Sequence, residues 1–162
     1  MRFKHILPII IFFPVLLFQI TVIPLISIDG IIPDLILILL VYYSISYNQI
    51  YGTVLGASYG FLFDLITGSL LGSMMLSRTV VGFVAGYYSA ETRRDKFLNT
   101  YAFTFIVLLC AVIDSIIFSF FSAVDFNTNI FKIFFDQALL PALYTGVVST
   151  IIIFVPYKRN FN

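Results

Sequence analysis

The amino-acid sequence predicts an all-α integral membrane protein of six transmembrane helices, with both chain ends cytoplasmic and residues 1–162 forming a single transmembrane domain. Three observations carry this prediction. Of 162 residues, 60% are apolar and only 10% charged, where soluble domains carry about 25% charged residues; the mean hydropathy is +1.05. The apolar residues fall into runs near the roughly 20 needed to cross the hydrocarbon core. Lysine and arginine recur at alternate breaks between these runs, as the excess of positive charge on cytoplasmic loops requires.

The first expected span, 6–26, follows a basic start at Arg2 and Lys4. Its run is too long for a secretory signal and no A-x-A-like site follows it, so it reads as a retained helix. Pro8, Pro14 and Pro24 interrupt it, and neighbouring helices must accommodate them. A break at Ser27-Ile28-Asp29-Gly30 precedes the second span, 34–48, which is short. Asn48-Gln49 separates it from the third, 51–69, and Thr67-Gly68-Ser69 turns the chain into the fourth, 71–90. The fifth, 98–121, follows the charged stretch Glu91–Lys96, and the sixth, 133–156, follows Ser122–Asn129.

With the N-terminus inside, six spans place Arg2 and Lys4, then Arg93, Arg94 and Lys96, then Lys158 and Arg159 on the cytoplasmic face. Lys132 alone falls outside, and Arg78 is embedded. Fusing the second and third spans would carry the Arg93-Arg94-Lys96 cluster outside, which argues against five spans.

Several function classes are excluded. No loop is long enough for a folded domain, and the chain contains no phosphate-binding G-x-x-x-x-G-K-[ST] loop, no H-E-x-x-H and no G-x-S-x-G. One cysteine, Cys110, and one histidine, His5, exclude an internal disulfide and a Cys/His zinc cluster. Cys110 lies in an apolar run and reads as a packing residue. Net charge near zero gives no field toward nucleic acid. No enzyme activity, cofactor or metal is therefore expected.

The most informative stretch is the third and fourth spans. Gly52, Gly56 and Gly60 repeat every four residues and Asp64 continues the stripe; Arg78, Gly82 and Gly86 repeat the spacing on the next helix. Small residues so placed let helix backbones approach closely in lipid. One antiparallel register pairs Asp64 with Arg78, Gly60 with Gly82 and Gly56 with Gly86. The expectation is a tight hairpin closed by an Asp64–Arg78 ion pair, both charges about 10 Å from the turn at 1.5 Å per residue, because an unpaired charge at that depth is costly. Simple packing is the plain reading of the ladder, and a docking groove the sharper one.

Two further acids lie in the spans. Asp136 has Lys132 one helical turn before it and can pair locally. Asp114, in the fifth span, has no such neighbour and is expected to stay neutral and lean on Ser or Tyr hydroxyls of adjacent helices; a proton site is the other reading. Arg93, Arg94 and Lys96 anchor topology or contact a partner or anionic lipid. Tyr42, Tyr43, Tyr47, Tyr51, Tyr87, Tyr88, Tyr101 and Tyr157 gather toward the cytoplasmic ends as an aromatic belt.

From Pro33 to Gly86 the chain resembles the MreD family, the small membrane subunit of the bacterial rod-shape machinery. The resemblance rests on Pro33-Asp34 opening an apolar span, then Gly52-x3-Gly56-x3-Gly60-x3-Asp64, then Thr67-Gly68-Ser69-x2-Gly72, then Val81-Gly82-Phe83. It implies a non-enzymatic scaffold of the bacterial cytoplasmic membrane that binds the bitopic protein MreC and links MreB filaments to peptidoglycan synthesis by RodA and a penicillin-binding protein. MreD proteins also look like the six-helix substrate-binding subunits of energy-coupling-factor transporters, so a vitamin-binding transport subunit is the rival reading. Such subunits dock their partner through small residues near the start of the first helix, where this chain has the bulky run Ile9, Ile10, Ile11, Phe12 and Phe13.

Overall fold

The computed structural model describes residues 3–27, 31–68, 71–89, 101–122 and 139–154, which are mostly helical. In chain order they are α1 (Phe3–Thr21) with a 3-10 turn at Ile23–Ile26, α2 (Leu35–Ser46), α3 (Gln49–Thr67), α4 (Ser73–Tyr87), α5 (Tyr101–Ser122) and α6 (Leu140–Phe154). Arg93, Arg94, Lys96, Lys132 and Asp136 lie outside the described residues.

By length and composition, α3 and the Tyr101–Phe121 stretch of α5 qualify to cross a membrane, while Leu7–Thr21, Leu35–Ser46 and Leu140–Ile151 are shorter apolar helices. Of the six expected spans, two therefore coincide with helices long and apolar enough to cross, three coincide with shorter apolar helices, and α4 belongs to neither group among the described residues. The reason is clearest in α2. Nine of its 12 residues are buried and the other three, Leu35, Leu39 and Tyr42, are half-buried along one stripe, so other helices cover most of it, as a helix apolar all round requires. It packs against α1, α3, α4, α5 and α6. Ile36, Leu37, Leu40, Val41 and Ile45 form the centre of the core with Phe12, Leu16, Leu55, Tyr59, Val81 and Val107.

The outer surface is apolar as well. Ile10 and Leu17 on α1, Ile50 and Val54 on α3, Phe105 and Phe120 on α5 and Val147 and Ile151 on α6 are all exposed. An apolar exterior of this extent marks a membrane or partner surface.

The ends of the helices are fixed locally. Asp34 caps α2, its Oδ1 accepting from the Leu37 N–H at 2.9 Å, and Asn48 caps α3 through the Tyr51 N–H at 2.7 Å. Helix α3 ends on Gly68, whose φ of 67° is left-handed, with its N–H returning to the Asp64 carbonyl at 3.0 Å. Gly72, at φ 103°, opens α4. Both glycines occupy backbone conformations that a side chain would strain.

Helix α1 carries its prolines inside the helix and is tied to the bundle at two points. The Tyr59 hydroxyl donates to the Pro8 carbonyl at 2.7 Å, and the Tyr59 ring stacks on Phe12 with centroids 4.4 Å apart. Nearer its other end, Gln19 donates to the Pro33 carbonyl at 2.8 Å and accepts from the Leu35 N–H at 3.0 Å. Tyrosines gather where α2 meets α3: the Tyr43 and Tyr47 rings lie 6.2 Å apart, and those of Tyr47 and Tyr51 4.6 Å apart.

Candidate functional site: a glycine-packed hairpin and a buried polar centre

Helices α3 and α4 make the closest pairing in the fold. A Cβ placed on Gly52 would lie 2.6 Å from the Gly82 carbonyl oxygen, and one on Gly82 would overlap the Gly52 carbonyl. Gly56 faces the Arg78 carbonyl, Gly60 the backbone of Met74 and Met75, and Gly86 the Cα of Gln49. All five ladder glycines therefore sit where two backbones touch, which in lipid is the main source of helix attraction.

The register differs from the one expected. Gly52, not Gly60, meets Gly82, and Gly56 meets Arg78 rather than Gly86, a displacement of eight residues or about 12 Å along the helix. Gly60, seven residues before Thr67, lies opposite Met74, the second residue of α4. Helix α4 consequently starts about 9 Å down the side of α3, at 1.5 Å per residue, instead of level with its end. Hydropathy could not reveal that offset.

The offset reassigns both charges. Asp64 does not close the hairpin onto Arg78 as expected: it caps α4. Its Oδ2 accepts from the Gly72 N–H at 2.9 Å and the Met75 N–H at 3.2 Å, and its Oδ1 from the Met74 N–H at 3.3 Å. The first amides of a helix have no partners within it, and Gly72 has no side chain to offer them. A buried carboxylate from the preceding helix does so, and its charge suits the positive helix terminus.

Arg78 lies level with Gly56, about 16 Å along α3 from Thr67, deeper than the 10 Å expected. Its ion pair is with Asp34, through Nη2 and Oδ2. The guanidinium also sits over the Phe63 ring, 5.5 Å from the centroid, a cation–π contact. Arg78 is 1% exposed and Asp34 25%, so the pair is open to the surroundings of the bundle only on the aspartate side.

Asp34 is a junction of four helices. Besides Arg78 of α4, its own N–H donates to Thr145 Oγ1 of α6 at 3.0 Å, and Thr145 in turn donates to the Pro141 carbonyl at 2.8 Å. Gln19 of α1 grips the residues on either side of it, Pro33 and Leu35. Asp114 of α5 completes the centre: it is buried and lies within electrostatic reach of Arg78 and Asp34 with Ser77 beside it, whose hydroxyl donates to the Met74 carbonyl at 3.3 Å. An adjacent-helix hydroxyl is thus its neighbour.

Five of the six described α-helices contribute polar groups to this centre, and α3 contributes the Phe63 ring. Sequence reasoning singled out Arg78 and Asp114 but missed Asp34, Gln19, Ser77 and Thr145 as members. Asp34 offered a signal: an acid directly before an apolar run is placed to cap that helix, and a cap on a buried helix is itself buried. Gln19, Ser77 and Thr145 offered none, because single uncharged polar residues in apolar runs are common.

Among the described residues no group of three or more His, Cys, Asp or Glu side chains is placed to hold a metal. Cys110 is buried in the core. What the arrangement does is bind helices to one another and leave an apolar exterior.

Compared with known families, residues 1–159 match the family described as rod shape-determining protein MreD. No curated protein and no solved structure matches the chain.

Proposed function

Because the chain belongs to the MreD family of rod shape-determining proteins, we propose that it serves bacterial cell shape as a non-enzymatic, multi-pass scaffold of the cytoplasmic membrane, binding MreC and helping to couple MreB filaments to peptidoglycan synthesis by RodA and a penicillin-binding protein. The observation that carries the proposal is the near-complete family match, over residues 1–159. The architecture supports it physically: polar side chains are spent on holding helices together around α2, while the exterior offers long apolar helix faces. A membrane scaffold needs those two properties, a stiff frame and lipid-depth surfaces on which another helix can lie.

The ladder Gly52, Gly56, Gly60, Gly82 and Gly86, with Asp64 and Arg78, is in this reading the frame, occupied by contacts within the chain. Partner docking then belongs to the exposed faces of other helices, with Arg93, Arg94 and Lys96 proposed as a cytoplasmic or lipid contact. The family match favours shape determination over the rival vitamin-transport reading.

Two measurements test the proposal. Depleting the protein from a rod-shaped host should make cells round; unchanged length and width would refute the role. Affinity purification from gently solubilised membranes should recover a single-span partner with a periplasmic domain, whereas recovery of an ATPase pair carrying a vitamin would establish the transport reading instead.

A further inference from the structure

We infer that Arg78 is a shared cation with two acid partners, Asp34 on α2 and Asp114 on α5, and that it exchanges between them as a switch inside the bundle. The inference concerns the chain's own conformations and does not depend on which partner it binds.

An arginine carries five N–H donors. In Arg78 the Nη2 group engages Asp34, while Nε and Nη1 are buried with no hydrogen-bond partner. On the neighbouring helix α5, Asp114 is equally enclosed and its Oδ1 also lacks a partner. Unused donors on a cation and an unused acceptor on an acid occupy the same centre, within electrostatic reach of one another. Unmade hydrogen bonds to charged groups are most costly where the dielectric is low, so a second arrangement that joins them makes the bonds that the first leaves unmade.

The surroundings suit an exchange. Phe63 presents a ring face to the guanidinium, and that attraction is indifferent to which acid lies at the edge. The Asp34 carboxylate keeps the Leu37 amide when Arg78 departs and is a quarter exposed, so it is not stranded. Asp64, the other described acid near α4, is spent on the amides of Gly72, Met74 and Met75 and does not compete. With Arg78 on Asp34, α4 is tied to the corner where Gln19 and Thr145 hold α1 and α6. With Arg78 on Asp114, that tie is released and α4 is drawn to α5.

The test uses the full-length chain in lipid nanodiscs. Asp34→Asn alone should lower the unfolding temperature little, because Arg78 moves to Asp114. Adding Asp114→Asn should lower it by about twice the summed single shifts or more, the non-additivity of residues sharing a partner. Spin labels at the exposed positions Leu76→Cys and Phe120→Cys report the movement: Asp34→Asn should shift the distance between α4 and α5 to shorter values, and Asp114→Asn should not. Additive shifts, or an Asp34→Asn distance equal to the parent's, would overturn the exchange. If the double variant fails to fold, adding Arg78→Gln should restore folding, since no stranded cation remains; failure of that rescue overturns the inference too.

Discussion

Arg78 and Gly56 occupy one level of the hairpin and illustrate two ways a single residue holds this bundle. Gly56 works by absence: its Cα meets the Arg78 carbonyl with no room for a side chain. Gly56→Leu should force α3 and α4 apart and destabilise the protein by at least about 3 kcal/mol, the overpacking regime. Gly146→Ala provides the contrast. Its added Cβ would lie 3.3 Å from the end of the Leu108 side chain, which can yield, so the cost should stay under about 1 kcal/mol. Thermal or denaturant unfolding in lipid nanodiscs measures both. Arg78→Gln should cost about 2–4 kcal/mol, the range for breaking a buried pair, lowered by the partial exposure of Asp34. The need for an Arg78 partner was legible in the sequence, because an embedded cation is expensive. The partner's identity was not, because Asp34 stands at the border of an apolar run and reads as loop until the burial of α2 is known.

At the scale of elements, hydropathy and breaker residues located the helices, and Gly68 and Gly72 marked the turn between α3 and α4. The offset of α4 down the side of α3 escaped sequence reasoning, since a four-residue ladder fits itself equally well at every shift of one repeat. What selects the register is the Asp64 carboxylate, which can cap α4 only if α4 begins beside it. Asp64→Ala should accordingly cost about 1–2 kcal/mol, as for a lost cap, and its local signature is faster hydrogen exchange at Gly72, Met74 and Met75. If those amides keep their protection, the cap is not what fixes the register. Helix α1 offers a parallel case. Tyr59→Phe removes the hydroxyl bond to Pro8 while leaving the ring on Phe12, so a loss of about 1 kcal/mol is expected, with increased exchange confined to the first turns of α1.

For the whole molecule, composition announced a membrane protein, and the fold bears this out in an apolar exterior around a polar centre. The orientation is open to direct measurement. Because Cys110 is buried, the unaltered chain serves as the background against which single added cysteines are labelled. Labels at residues 93–96 should react with membrane-impermeant reagent only after the cytoplasmic side is opened, and labels at residues 28–30 should react from outside. The opposite pattern would invert the topology. The helix at the centre of the bundle carries a further consequence, one for biosynthesis. At 12 residues, α2 is about 18 Å long, well short of a hydrocarbon core of about 30 Å. An insertion machinery that sorts nascent segments one at a time by length and apolarity has little reason to release α2 into lipid alone. Helix α2 is therefore expected to wait at the exit site until α3 has emerged to shield it, so that the shortest of the described α-helices, second in translation, becomes a latecomer in assembly.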